Sequence, residues 1–317
     1  MDKYRARVEM TKPVERIKAV KKYPTHLVEF ILVRGLFFIT KLFPFAISSW
    51  LGRKFGTLAF QIRKSRRTLT IENIREAQKR GFLPNDIDGS RIARKAWENL
   101  GLLGIEFAYF SHYRKAISQA VTFEGADNLK RVLEKKKGVI MVTTHTSNWE
   151  LMGMALAQAG FGINSIAKNQ TNLMLNRYIN KCRRSTGINP IPKKSFLRPV
   201  VEAFKRNEIV AFFIDQAAGR VGIPLKLFGR GVMIPRGAAE FALKLDKPVI
   251  FSYIVRVTPR KYRLVISEEI ELVRSGDYQK DLWENSARFI GLVQSVVSRY
   301  PEQWLWMHRL WETDIKV

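Results

Sequence analysis

Two hydrophobic rhythms divide the chain. From Ser65 to about Tyr113 apolar residues recur every three or four positions, as in SRIARKAWENLGLLGIEFAYF, which predicts helices. NIREAQKRGF, just before, ends on a glycine that serves as a helix stop. After Ala116 short apolar runs alternate with amphipathic stretches: GVIMVTT, ELMGMALAQAG, INSIA, NLMLNRYINKCRRSTG, INPIP, FLRPVVEAFKRN and EIVAFFID. KPVIFSYIVRV and YRLVIS add two strands, and DLWENSARFIGLVQSVVSRY a closing helix. Such alternation predicts an α/β fold with a central mixed, largely parallel sheet flanked by helices. In front of it stands an N-terminal helical, membrane-associating region, so the expected boundaries are 1–115 and 116–317. There is no internal repeat and no low-complexity linker.

The membrane assignment rests on Thr25–Gly52, THLVEFILVRGLFFITKLFPFAISSWLG. It is rich in Phe, Leu and Ile, but Glu29, Arg34, Lys41 and Pro44 interrupt it. A spanning helix needs ~20 consecutive, predominantly apolar residues. The pattern therefore predicts helices lying in a membrane interface, with basic groups reaching toward headgroups. An amphipathic core helix of a soluble protein is the alternative reading.

Charge sharpens this picture. The 317 residues carry a net charge of +27, which calls for an acidic partner: nucleic acid, anionic lipid or an acidic carrier. Residues 1–80 alone hold a net +13, including the cluster RKSRRT beside the apolar segment, which favours an anionic membrane. No groove-reading helix, zinc finger or aromatic RNA platform is apparent, so no specific nucleic-acid partner is expected. A second basic stretch, residues 160–236, has a net +11 and suits a phosphorylated substrate or an acidic carrier protein. One cysteine, Cys182, gives no disulfide framework, and with four scattered histidines no metal or redox cofactor is expected. The N-terminus lacks the pattern of a cleaved secretory signal, so the protein is expected to stay inside the cell.

Candidate chemistry sits where GVIMVTT gives out, in TTHTSNWE (Thr143–Glu150). Ser147 to Glu150 fits a helix capping box, in which Glu150 is structural and His145 an ordinary turn residue. The functional reading makes His145 a general base on a strand-to-helix turn, with Glu150 fixing its tautomer, and acyl transfer as the chemistry. No G-x-S-x-G elbow is present, so a hydroxyl acceptor attacks directly and Ser147 is no nucleophile. In open α/β sheets, working residues gather at the carboxyl ends of strands, where Asp215 and Gln216 also fall.

In order along the chain, HTSNWE, RRSTG, AFFIDQAAGRVGIPLKLFGR, IPRGAAEFALKLDKPVI and YPEQWLWMHRLW resemble the lipid A late acyltransferases. These are the lauroyl and myristoyl transferases of the lysophospholipid-acyltransferase-like superfamily. The resemblance implies a His145–Glu150 dyad in an H-x-x-x-x-D/E motif and an enzyme on the cytoplasmic face of the inner membrane. It implies transfer of a fatty acyl chain from an acyl carrier protein or coenzyme A thioester to a hydroxyl of a phosphorylated glycolipid, with no further cofactor. It places Asp215 and Gln216 at the floor of an acceptor pocket. Ser147, Asn148, Lys168, Arg184 and Arg236 become acceptor, donor or phosphate contacts. At MHRLWET the chain departs from the family, with Leu310 and Glu312 where an arginine and a lysine are frequent. The acceptor thus stays open between a lipid A precursor and a mannosylated phosphoinositide, aminolipid or other glycerophospholipid. A basic membrane-binding protein without chemistry is the rival class.

Overall fold

The computed structural model describes residues 12–167 and 169–311. Lys168, Glu312 and residues 1–11, all of which figure in the sequence reading, lie outside the described residues. The element order is α1 (Lys12–Leu42), α2 (Phe45–Ile62), α3 (Lys64–Lys79), α4 (Gly89–His112) and α5 (Lys115–Ala120), then β1 (Val121–Glu124), α6 (Ala126–Glu134) and β2 (Val139–Thr143). There follow α7 (Trp149–Gln158), β3 (Ile163–Ala167), α8 (Leu173–Ser185), β4 (Ile188–Pro192), α9 (Leu197–Lys205) and β5 (Ile209–Phe213). The chain continues through β6 (Ile223–Leu227), β7 (Arg230–Ile234), α10 (Gly237–Lys244), β8 (Val249–Thr258), β9 (Lys261–Glu269) and α11 (Tyr278–Arg299).

Seven strands form one sheet in the order β1-β9-β8-β2-β5-β3-β4. Among the described residues of this sheet, only the β8–β9 pair is antiparallel. A two-residue connection, Pro259-Arg260, is too short for the crossover that a parallel pair requires, so β8 and β9 form a hairpin. The mixed, largely parallel sheet expected from the sequence is therefore present. Strand β2, VIMVT, is buried at every position, as a central strand covered on both faces must be. One face carries Ile140, Val142, Val210 and Phe212 toward α9, α10 and α11, and the other carries Met141, Val139 and Ala211 toward α7. Helix α4 joins the two cores, with Trp97 in one and Phe107 and Phe110 in the other.

The hairpin β6–β7 was not anticipated. Its strand IPLKL buries alternate residues, and the loop residues Phe228 and Gly229 both have positive φ (51° and 74°), the signature of a tight hairpin turn.

Helix α2 is amphipathic in the reverse sense. It buries Ser48, Ser49, Gly52 and Gly56 and exposes Ile47, Trp50, Phe55, Leu58 and Ile62. Its small residues let it cross α4 at very short range: a Cβ on Gly56 would lie 2.2 Å from the Trp97 carbonyl oxygen, and one on Gly101 would lie 2.2 Å from that of Gly52. Helix α1 adds exposed Val28, Ile31, Leu32, Phe38 and Leu42. Among the described residues no helix is long and apolar enough to cross a membrane.

Candidate active site

Strands β2 and β5 run parallel, with Thr143 opposite Phe213. Two residues beyond each strand end stand His145 and Asp215, so the register alone brings them to the same height. The imidazole Nδ1 lies 2.7 Å from Asp215 Oδ1. The second carboxylate oxygen accepts three hydrogen bonds: from the His145 backbone N–H at 2.6 Å, from the Thr144 hydroxyl at 2.7 Å and from the Trp304 indole N–H at 2.8 Å. Asp215 is 1% exposed. Burial works to raise its pKa, but the charge of His145 and the hydrogen bonds from His145 and Thr144 outweigh it and hold the carboxyl at about 2. An ionised Asp215 accepts a hydrogen bond from Nδ1–H, which fixes the proton there and leaves Nε2 as the basic nitrogen. The ring is held between Phe213 and Trp149, with centroids 4.3 and 4.9 Å away.

Glu150 is not the residue on the imidazole. Its carboxylate is gripped by the Arg183 guanidinium, with Nε donating to Oε2 at 3.0 Å and an amino nitrogen to Oε1. Burial opposes the charge on Arg183, and the carboxylate overrides it, so the arginine pKa is raised. Nor is there a capping box. The helix cap is Asn148, whose side-chain oxygen accepts from Leu151 N–H at 2.9 Å. Ser147 sits outside the helix with φ 52°, and its N–H donates to the Gln303 carbonyl at 2.6 Å. Since α7 starts one residue later than the capping-box reading requires, Glu150 points toward α8 instead of back along the turn.

Behind this turn lies a buried polar network. Asn148 Nδ2 donates to Glu106 Oε2 at 3.0 Å, and Arg256 pairs with the same carboxylate at 2.8 Å while also donating to Asn99. Asn99 in turn donates to the Gln303 carbonyl at 3.2 Å. Ser147 and Asn148 are thus fully buried and committed to holding the turn, and neither lines the cavity beside His145. Their assignment as substrate contacts is corrected accordingly.

His145 opens onto a cavity of about 670 Å³. Its polar lining includes His145, Glu150, Arg183, Lys193, Gln216 and His308. Apolar residues of α7, β3, β4 and α8 also line it, among them Met152, Gly153, Leu156, Ile163, Ile179 and Ile188. Of the other expected contacts, Gln216 lines the cavity, with its amide nitrogen 3.4 Å from His145 Nδ1. Arg184 is exposed on α8 and does not line the cavity. Arg236 is the cap residue just before α10 and pairs with Glu240 at 3.2 Å. Sequence reasoning missed Arg183 and Trp304. Arg183 stood beside the chosen Arg184, and only the phase of α8 tells which of the two faces inward. Trp304 lies in the YPEQWLWMHRLW motif that carried the resemblance.

Residues 17–313 match the family described as bacterial lipid A biosynthesis acyltransferase. The chain belongs to that family. It is accordingly an acyltransferase. This acyltransferase is 26% identical over 295 residues to the lipid A biosynthesis palmitoleoyltransferase of Escherichia coli (strain K12), covering 88% of this chain and 89% of the relative. It is also 26% identical over 125 residues to the phosphatidylinositol mannoside acyltransferase of Mycobacterium tuberculosis (strain CDC 1551 / Oshkosh), covering 38% of this chain and 39% of that one. With the phosphatidylinositol mannoside acyltransferase of Mycolicibacterium smegmatis the identity is 21% over 193 residues, covering 60% and 62%.

Proposed function

We propose that this acyltransferase moves a fatty acyl chain from a carrier thioester to a hydroxyl of a phosphorylated glycolipid, in the first instance a lipid A precursor. The observation that carries the reading is the placement of His145: Nδ1 is held by a buried carboxylate and the ring lines a cavity walled by both polar and apolar residues. The acyl chain occupies the apolar part, which puts the thioester carbonyl beside His145. As the acceptor oxygen bonds to that carbonyl carbon, its proton passes to His145 Nε2. The tetrahedral intermediate collapses by breaking the C–S bond, and the departing sulfur takes the proton back from the imidazolium. Asp215 stabilises the imidazolium and fixes the tautomer, the role the sequence assigned to Glu150. Glu150 instead holds Arg183 at the cavity wall, where its cation faces the oxyanion or the acceptor phosphate.

Two surfaces support the partners. The outward apolar face of α2, with Lys54 over the Trp50 ring at 5.5 Å and Arg53 beside it, suits insertion into one leaflet of an anionic membrane. On this reading the enzyme works on the cytoplasmic face of the inner membrane, where carrier thioesters are made. Arg177, Lys181 and Arg184 form an exposed basic stripe at helical spacing on α8, next to the cavity wall, and suit an acidic acyl carrier protein.

The test is mass spectrometry of lipids after incubating detergent-purified protein with acyl carrier thioesters and either a lipid A precursor or a mannosylated phosphoinositide. A product whose mass equals acceptor plus acyl, absent with His145→Ala, supports the reading and names the acceptor. Equal product from wild type and His145→Ala refutes it.

A further inference from the structure

The indole of Trp304 reaches Asp215 from the far end of the chain. Its N–H lies 2.8 Å from Asp215 Oδ2 and 3.0 Å from the Thr144 hydroxyl oxygen. Thr144 in turn donates to the same carboxylate oxygen at 2.7 Å. A hydroxyl has a single hydrogen, so the indole, by occupying a lone pair of Thr144, leaves that hydrogen directed at Asp215. Trp304 and Thr144 are both buried, and Trp304 does not line the cavity beside His145.

Residues 305–308, just after it, belong to no helix or strand, so their backbone groups must find partners elsewhere. They form a strap tied at both ends. At one end Trp304 bridges Thr146 in antiparallel fashion, and the Gln303 carbonyl accepts from the Ser147 N–H at 2.6 Å. At the other, α3 holds three successive carbonyls. Asn73 Nδ2 donates to those of Trp306 and His308, each at 2.9 Å, and Arg66 Nη1 to that of Met307 at 3.1 Å. Arg66 and Asn73 are seven residues apart, two helical turns, and so share one face of α3.

We infer that Trp304 is a positioning residue for acyl transfer, acting through Asp215, and that Asn73 holds the strap that delivers it. The inference rests on the acyl-transfer reading above. A carboxylate is planar and rigid, so fixing Oδ2 on Trp304 and Thr144 fixes the direction in which Oδ1 meets the imidazole Nδ1. Helix α3 thereby contributes to the orientation of His145 without touching it.

The experiment measures kcat, KM and melting temperature on full-length detergent-purified protein, with acyl carrier thioesters and whichever of the two acceptors above the wild type uses. Trp304→Phe keeps an aromatic ring and deletes the N–H. It lowers kcat by about tenfold, less than the roughly 10²-fold of a 1 Å misplacement, because two other donors stay on Oδ2. KM for thioester and acceptor holds, since Trp304 is not part of the cavity wall. In an Asp215→Asn background the same change costs nothing further, as residues acting as one unit are not additive. Asn73→Ala lowers kcat in the same direction and adds nothing to Trp304→Phe. Arg66→Ala removes one strap bond, gives a smaller fall, and keeps this arm readable where Asn73→Ala does not fold. A packing role alone gives a lower melting temperature with kcat per folded molecule intact, or losses that multiply in the double variants. Either pattern overturns the inference and leaves acyl transfer standing, and wild-type kcat in both Asn73→Ala and Arg66→Ala overturns the role of the strap. No transfer by wild type to either acceptor refutes the acyl-transfer reading and the inference with it.

Discussion

His145 and Asp215 each stand two residues beyond the ends of paired parallel strands, and their side chains meet at 2.7 Å. Neither residue belongs to a helix or strand, yet both positions are fixed by the register of β2 on β5. Three further donors on Asp215 prevent the carboxylate from turning away.

Mutation separates the two acids near the imidazole. Asp215→Asn removes the charge that stabilises the imidazolium and lowers kcat by on the order of 10²–10⁴, the range of a general-base contribution. Glu150→Gln leaves Nδ1 on Asp215, so it costs less in kcat and shows mainly in KM through a loosened Arg183. Steady-state kinetics on both variants decide the matter, and a larger kcat loss in Glu150→Gln would return the dyad to Glu150.

Acid stability follows from the same carboxylate. Its pKa is depressed from 3.8 to about 2 in the folded protein, so its stabilisation is fully present above the unfolded value and is lost as pH falls through the folded one. The contribution is about 2 kcal/mol, because each tenfold change in proton affinity is worth about 1.4 kcal/mol. Melting curves between neutral pH and the acid limit should lose stability in the window from about 3.8 down to about 2, and Asp215→Asn should flatten that window. An identical acid slope in the variant contradicts the assignment.

Membrane binding is tested on α2. Trp50, Leu58 and Ile62 are 56%, 49% and 67% exposed, so changing all three to serine leaves the core untouched. Each side chain is expected to contribute about 1 kcal/mol of partitioning, about half of a full burial. Co-sedimentation with anionic vesicles should therefore fall steeply while the melting temperature holds. Undiminished vesicle binding sinks α2 as the docking face.

Packing of that helix depends on glycine. Gly56→Ala drives a methyl into the Trp97 carbonyl, a clash with backbone that no rotamer relieves. The expected loss is about 1–3 kcal/mol, as for other overpacked interfaces. Denaturant melts give the number, and a neutral result would mean that α2 shifts outward.

Behind the turn, Arg256→Met strips the partner from a fully buried Glu106, which also anchors Asn148. Leaving one member of a buried ion pair uncompensated costs about 3–5 kcal/mol. A chemical melt with a loss below about 1 kcal/mol, that of an exposed pair, argues against this placement.

The sequence by itself determined the strands β2, β3, β4, β5, β8 and β9, most of the helices and the turn that carries the chemistry, and missed β1 and the β6–β7 hairpin. Runs such as VIMVT and IVAFF are continuous and apolar because both faces of a central strand are covered, and that signal is local. It also located His145 and Asp215, since both follow such runs directly. Tertiary structure decided which acid serves the histidine. Spacing along the chain favoured Glu150, five residues away, over Asp215, seventy residues away, but distance in sequence says nothing about parallel register. The start of α7 at Trp149 turns Glu150 toward Arg183, and the β2–β5 ladder delivers Asp215 to Nδ1. Helix phase and strand register are set by packing across the whole core, so the pairing of side chains at the site appears only once that core is assembled.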